Sequence, residues 1–455
     1  MKYNLWALSS ALLLVGCAAD DATGDLSGGG KASIVLGVKD VVSPVTRTQQ
    51  TGSMDFTQLK TTGFGVYGYE GADAYNSEST EYNLFQANTH VTFISGGTEP
   101  SSVVAHPGNW TYDGELKEWD STKKYTFFAY APYMSAGEGT FGTDAGINTI
   151  STGAGDPTIA YTVAVDPAKS VDLLWGVRTD TSDKSGKPWI DIQQGKTASA
   201  VLFTFYHALC GLGLHAQVMV DQANDTLDLG DLSQMGTIGD ANGCKVTLKS
   251  ITITPKGFPN AEPVVAATLF HKSAKLNLNN TNTTAHQPLW QDHSGTISSL
   301  VLDGGEIDEA LLDPHTDHVD DVTGYEVMTS ESYDTEVPGI TESANSQAII
   351  ADDNMFMLIP QDAQDYEVAI DYFITYKTGD STYHREAKSG TATIRNLKLA
   401  AGVKYYLNLV FGLTTFKVNV LATDWKGETI NTTVVIENGT SADKSLAKQS
   451  AVIME

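Results

Sequence analysis

The chain has 455 residues, 28 basic and 55 acidic, for a formal net charge of −27. Its length corresponds to about two or three domains. So acidic a surface repels phosphate backbones and anionic headgroups, which excludes nucleic acid as a partner. Beyond residue 17 no apolar run approaches the roughly 18–20 residues that a membrane span needs.

Lys2 supplies a short basic start, Leu5 to Val15 an apolar stretch, and Leu14-Val15-Gly16-Cys17 a small residue before a cysteine. These are the parts of a secretory signal. The cysteine at the cut resembles the lipobox of bacterial lipoproteins, which implies that Cys17 is acylated and anchors the mature chain. The alternative is an ordinary signal peptide with a chance cysteine. Ala18-Ala19-Asp20-Asp21 resembles the acidic tag that sends lipoproteins of the Bacteroidetes to the cell surface.

Asp20 to Lys31 is rich in Gly, Asp and Ser and reads as a tether. In Ser33-Ile34-Val35-Leu36-Gly37-Val38-Lys39, residues Ile34, Leu36 and Val38 share one face at period two, which predicts a half-buried strand. Pro44 and the polar Thr46 to Gln50 interrupt the pattern. Short β segments follow at Phe64 to Tyr69, Val91 to Ile94, Tyr125 to Tyr130, Ile159 to Val165 and Val171 to Trp175. Thr179 to Lys187, ending at Pro188, reads as an inter-domain linker. A second series starts at Ala200 to Tyr206 and continues through Val246 to Ile253, Met355 to Ile359 and Tyr366 to Tyr376. Its last members are Thr391 to Leu397, Lys404 to Val410 and Phe416 to Ala422. Helical periodicity is nearly absent, with at most one short turn at Ile307 to Leu312. The pattern predicts an all-β, sandwich architecture.

Several chemical motifs can be weighed and set aside. Gly63-Phe64-Gly65-Val66-Tyr67-Gly68 matches G-x-G-x-x-G, yet no helix pattern follows to hold a pyrophosphate. Alternating Gly and aromatic residues instead predict a strand packed closely on a neighbour. His207 and Cys210 flank the end of an apolar strand without an evident third group, so they read as a structural histidine and a buried thiol. Cys210 and Cys244 are either a disulfide or two buried thiols. The acidic run Asp303, Glu306, Asp308, Glu309, Asp313, Asp317, Asp320, Asp321 and Glu326 lacks the spacing of an EF-hand. It reads as a solvated insertion in a loop spanning 303–336, with calcium binding as the alternative. No catalytic constellation, metal site or cofactor motif is apparent, so the chain is expected not to be an enzyme.

Tyr125-Thr126-Phe127-Phe128-Ala129-Tyr130-Ala131-Pro132-Tyr133 resembles the aromatic strand of Bacteroidetes fimbrillins. Val171-Asp172-Leu173-Leu174-Trp175 and Val201 to His207-Ala208-Leu209 are similar to two further segments of that family. Asp424-Trp425-Lys426-Gly427 before Val434-Val435-Ile436 resembles its closing strands. Fimbrillins are subunits of type V pili. The resemblance implies two transthyretin-like β-sandwich domains, with few short helical turns in loops, and assembly by strand exchange. It also implies an arginine-specific protease, other pilus subunits and the outer membrane as partners, with a receptor on host or bacterial surfaces as a further candidate.

The expected layout follows: signal 1–17, tether and removable strand 18–47, N-terminal domain 48–195, C-terminal domain 196–437 and tail 438–455. Ile34, Leu36 and Val38 would form the removable strand. Of the four arginines, Arg47 lies in a polar stretch, Arg178 near the expected linker, and Arg385 and Arg395 in or beside predicted strands. Cleavage is therefore assigned between Arg47 and Thr48. Leu446, Val452, Ile453 and Met454 make the tail a candidate donor strand, which would distinguish a shaft subunit from a tip or accessory one. The rival function is a permanently lipid-anchored glycan-binding protein using Trp110, Tyr112 and Trp119 as exposed stacking platforms, although core packing explains such aromatic strands more often.

Overall fold

The computed structural model describes residues 32–41, 54–78, 85, 87–94, 110–135, 145–153, 155–179, 186–193, 200–218, 245–284, 286–303, 325–327, 347–350, 355–377, 383–411, 416–425, 435–439 and 449–450. The first part holds β1 (Leu36–Val41), α1 (Phe56–Thr62), β2 (Phe64–Gly71), β3 (Thr89–Phe93), β4 (Trp110–Tyr112) and β5 (Lys124–Ala131). β6 (Gly146–Ile150), β7 (Thr158–Thr162), β8 (Leu174–Arg178), β9 (Trp189–Ile192) and β10 (Val201–His207) follow. Then come β11 (Cys210–Val218), β12 (Lys245–Gly257), β13 (Phe270–Asn277), β14 (Leu289–Ile297), β15 (Leu300–Asp303), β16 (Tyr325–Val327) and β17 (Gln347–Ile350). The last are β18 (Phe356–Leu358), β19 (Gln361–Lys377), β20 (Tyr383–Leu399), β21 (Val403–Phe411), β22 (Phe416–Asp424), β23 (Val435–Gly439) and β24 (Gln449–Ser450). The fold is all-β.

An eight-stranded sheet runs β1-β10-β8-β5-β2-β3-β4, with β9 paired to β5. One of its faces carries Phe64, Val66, Phe127, Ala129, Leu174, Phe203 and Phe205, all in a single aromatic-rich core. The sheet curls around this core until β1, at one end, lies against β4 at the other. Its opposite face carries Tyr67, Tyr69, Phe128, Tyr130 and Trp175, which pack with Ile147, Ile159 and Tyr161 of β6 and β7. Alternate residues of β2, β5 and β8 thus feed two different cores, as the period of two requires. The G-x-G-x-x-G run is the crowded strand that the sequence predicts: a Cβ on Gly65 would lie 2.1 Å from Tyr130 Cε1, and one on Gly68 2.2 Å from Phe85 Cδ2.

The remaining strands form a sandwich of a five-stranded sheet (β17-β11-β21-β22, with β18 on β11) and a seven-stranded sheet (β15-β12-β19-β20-β23-β24, with β16 on β12). Leu212, Leu214 and Leu407 from the first meet Ile251, Ile253, Leu300 and Leu302 from the second. A four-stranded sheet, β14-β13-β7-β6, joins the two parts, since β7 pairs with β13 far along the chain.

The segment read as a linker connects two strands of one and the same sheet, β8 and β9. Arg178 N donates to Lys187 O (2.8 Å), and β9 returns to pair with β5. β10, read as the first strand of the second domain, hydrogen-bonds to β8 and β1 of the eight-stranded sheet. Apolar alternation locates a strand but does not name its neighbour. α1 was not predicted either. Its start is a capping box in which Asp55 and Gln58 bond each other's backbone amides, and Leu59 is its one buried apolar side chain, which leaves no helical periodicity to read.

Candidate functional site

β1 is an edge strand, held along one side, and the residues that lead into it are held along the other. Along one side it runs parallel to β10, from Leu36 opposite Val201 to Val41 opposite Phe205, with a bulge at Lys39. On the other, Ile34 N donates to Lys117 O (2.8 Å), Trp119 N donates to Ala32 O (2.8 Å) and the Tyr112 hydroxyl donates to Ile34 O (3.2 Å). Backbone groups that an edge would leave unpaired are therefore satisfied in this short stretch.

Of the three residues assigned to the removable strand, Ile34 and Leu36 are both 0% exposed in the aromatic core, and Val38 is half-buried at its rim. Full burial of two aliphatic side chains is worth about 3–6 kcal/mol in transfer terms. This strand is a component of the core and not a surface appendage.

The aromatic residues that the rival reading exposes to sugars are buried: Trp110 is 2%, Tyr112 6% and Trp119 5% exposed. Trp110 meets Phe64 edge-on (5.3 Å) and Trp119 meets Tyr125 edge-on (4.7 Å). They share the core cluster that Ile34 and Leu36 enter, as the favoured core-packing reading has it, and the stacking-platform alternative is overturned at these three residues.

Three of the four arginines lie in paired strands. Arg178 ends β8 and stacks on Trp189 (4.6 Å to the ring centroid). Arg385 and Arg395 sit in β20, and Arg395 Nη1 bonds Asp365 Oδ2 (2.8 Å). Cys17, Arg47, Thr48, Cys244, Leu446, Val452, Ile453 and Met454 lie outside the described residues, as do Ile307 to Leu312 and most of the acidic run. Of the tail, Gln449 and Ser450 pair with Ile436 and Val435. Among the described residues no group of three or more His, Cys, Asp or Glu could hold a metal ion, and no helix is long and apolar enough to cross a membrane.

The segment after 42–53 is fastened by a buried polar cluster that sequence reasoning missed. Asp172 Oδ2 accepts from Met54 N (2.9 Å) and contacts His207 Nδ1 (2.6 Å), while Oδ1 accepts from Leu173 N (2.9 Å). The imidazole stacks on the Trp425 indole at 3.7 Å between centroids, near the Lys404 ammonium. His207 thus has the structural role expected for it, with Asp172 as the third group that was not evident. Cys210 is a free thiol at 0% exposure, donating to Leu358 O (3.5 Å), and burial pushes its pKa up to about 12. Such a thiol stays protonated and is a poor nucleophile.

Fimbrium subunit Fim1C of Phocaeicola vulgatus is 28% identical over 215 residues, covering 45% of this chain and 48% of that protein. The chain thus spans about half the length of the curated relative it matches. A solved fimbrial protein from Bacteroides vulgatus ATCC 8482 superposes with a TM-score of 0.53 at 21% identity, over 86% of this chain and 99% of that one, a likeness of fold. The model of the fimbrillin-like family matches residues 46–425, starting beyond β1. The chain therefore belongs to the fimbrillin-like family.

Proposed function

We propose that this protein is a structural subunit of a cell-surface fimbrium, assembled by strand exchange after proteolytic removal of its first strand, and serving adhesion. The observation that carries the reading is the seating of β1. A strand with two fully buried aliphatic residues completes the sheet, yet covalent continuity with the rest of the chain runs only through residues 42–53. A cut there leaves β1 held without a covalent bond and able to be replaced by another strand. A donated strand restores main-chain bonds along the edge and fills the same apolar positions.

The remaining parts fit this scheme. Arg47 lies in the connecting stretch, whereas cleavage at Arg178, Arg385 or Arg395 requires opening a paired strand. The Asp172 contact with Met54 N keeps the new N-terminal part docked once the strand has left. Acylation of Cys17 would attach the precursor to the outer membrane, and the lipid would depart with β1. The partners are then other pilus subunits and an arginine-specific protease.

N-terminal sequencing of the protein recovered from surface fibres tests the reading. A chain starting at Thr48 in high-mass polymers is the expected result. Recovery only as an acylated monomer starting at Cys17 sinks it.

A further inference from the structure

The seat of β1 has a feature that selects what can replace it. Resting on the strand-exchange reading above, we infer that the seat accepts only a strand with a glycine or alanine at the position of Gly37, between apolar residues at the positions of Leu36 and Val38, and that its occupant in the fibre is a strand from a different kind of subunit, not the tail of a second copy.

Gly37 is buried on the face of β1 opposite Leu36, paired in register with Leu202. A Cβ there would lie 3.0 Å from Leu202 Cδ2 and 3.8 Å from Trp110 Cδ1. Leu202, half-buried, can give by the few tenths of an ångström that a methyl group needs. Trp110 cannot give further, because Phe64 and Phe93 flank it edge-on at 5.3 Å and 5.2 Å. A larger side chain at this position forces rotamer changes in a packed core. The positions of Ile34 and Leu36 are equally demanding, since both are fully buried in an apolar cluster, where a charge is costly to bring. The seat therefore reads apolar, any, apolar, small, apolar, in a strand running parallel to β10.

The tail cannot meet these conditions in any register. With Leu446 at the position of Leu36 and Ala447 at that of Gly37, Lys444 falls at the position of Ile34. With Ala451 in the glycine position, Ser450 and Lys448 occupy the two deep positions. With Val452 and Met454 in the deep positions, Glu455 meets Trp110. Each register puts a charge where none can be solvated, or leaves the core unfilled.

The test uses the full chain with a specific protease sequence placed between Val41 and Met54, so that it does not depend on Arg47. After cutting, labelled peptides compete with the retained β1: residues 31–43, the same peptide with Gly37→Ala or Gly37→Leu, and residues 444–455. Peptide 31–43 and its alanine form should enter. The leucine form should bind roughly ten- to hundredfold more weakly, and peptide 444–455 should not enter. Entry of 444–455 as readily as 31–43, or equal binding of the leucine form, overturns the selectivity while leaving strand exchange intact. Failure of every peptide, 31–43 included, removes strand exchange itself and this proposal with it.

Discussion

Asp172 Oδ2 and His207 Nδ1 lie 2.6 Å apart with both side chains fully buried, and the same carboxylate oxygen holds Met54 N. One carboxylate therefore ties the entry of β8, the exit of β10 and the first described residue after the connecting stretch. Trp425, stacked on the imidazole, extends the tie to the end of β22. Removing the carboxylate leaves a buried imidazole and a backbone amide without their acceptor. Asp172→Ala should cost about 2–5 kcal/mol, about 1–3 for each buried donor left unsatisfied, measured by urea unfolding, and should shorten the lifetime of the assembled sheet after cleavage. A loss under about 1 kcal/mol would mean that water replaces the carboxylate.

Leu36→Ala deletes a fully buried side chain from the chamber between β10 and β4. The expected loss is about 2–5 kcal/mol, and amide exchange at Leu36–Val41 should accelerate more than in β19. Uniform acceleration across both strands would show that β1 does not open separately.

Gly65→Ala drives a methyl group into the Tyr130 ring, which is itself pinned by its hydroxyl bond to Asn88 Oδ1 (2.7 Å). The variant should be destabilised by at least about 1–3 kcal/mol in denaturant titration. Neutrality would mean that β2 and β5 can separate without penalty.

The rings of His271 and His293 lie 4.1 Å apart between centroids, tilted by 42°, across β13 and β14, and burial together with the neighbouring His293 holds the His271 pKa below the ordinary 6.5. The unfolded chain then binds the proton more readily than the folded one, so stability rises with pH through this window. The contribution is intact above pH 6.5 and is lost as pH falls from there towards the lower folded value. His90, also lowered by burial, acts in the same direction. Melting temperatures at pH 7.5 and pH 5.0 should therefore differ less in His271→Gln than in the parent. An equal difference in both proteins rules out His271 as a source.

Arg47→Ala should leave the precursor folded, with an unchanged melting temperature, and abolish the arginine-dependent cut. Normal fibres from this variant would move the processing site elsewhere.

Much of the strand content was legible because one face of each strand enters a core. Val201 to His207 alternates buried and half-buried along its whole length, and the reading of this segment from sequence matches it. β14 was illegible for the opposite reason. It is a sheet edge, mostly exposed from Asp292 to Thr296, so it carries no apolar alternation. In β13 the buried positions Phe270, Ala274 and Leu276 are interrupted by Lys272, and a bulge breaks the register after Ser273. For Trp110, Tyr112 and Trp119 the sequence favours core packing but leaves the exposed alternative open, because an aromatic residue in a short polar context looks the same whether it faces solvent or a curled sheet.

The sequence by itself determined the all-β class and placed Ile34, Leu36 and Val38 on one face, because side-chain alternation is a local property of extended backbone. Only the tertiary structure decided that this face fills a chamber lined by Phe203, Phe205 and Trp110, that β1 runs parallel to β10, and that Asp172 reaches both Met54 and His207. Those relations join residues far apart in the chain. They follow from which edges can close together with complementary side chains, a condition that no single segment encodes.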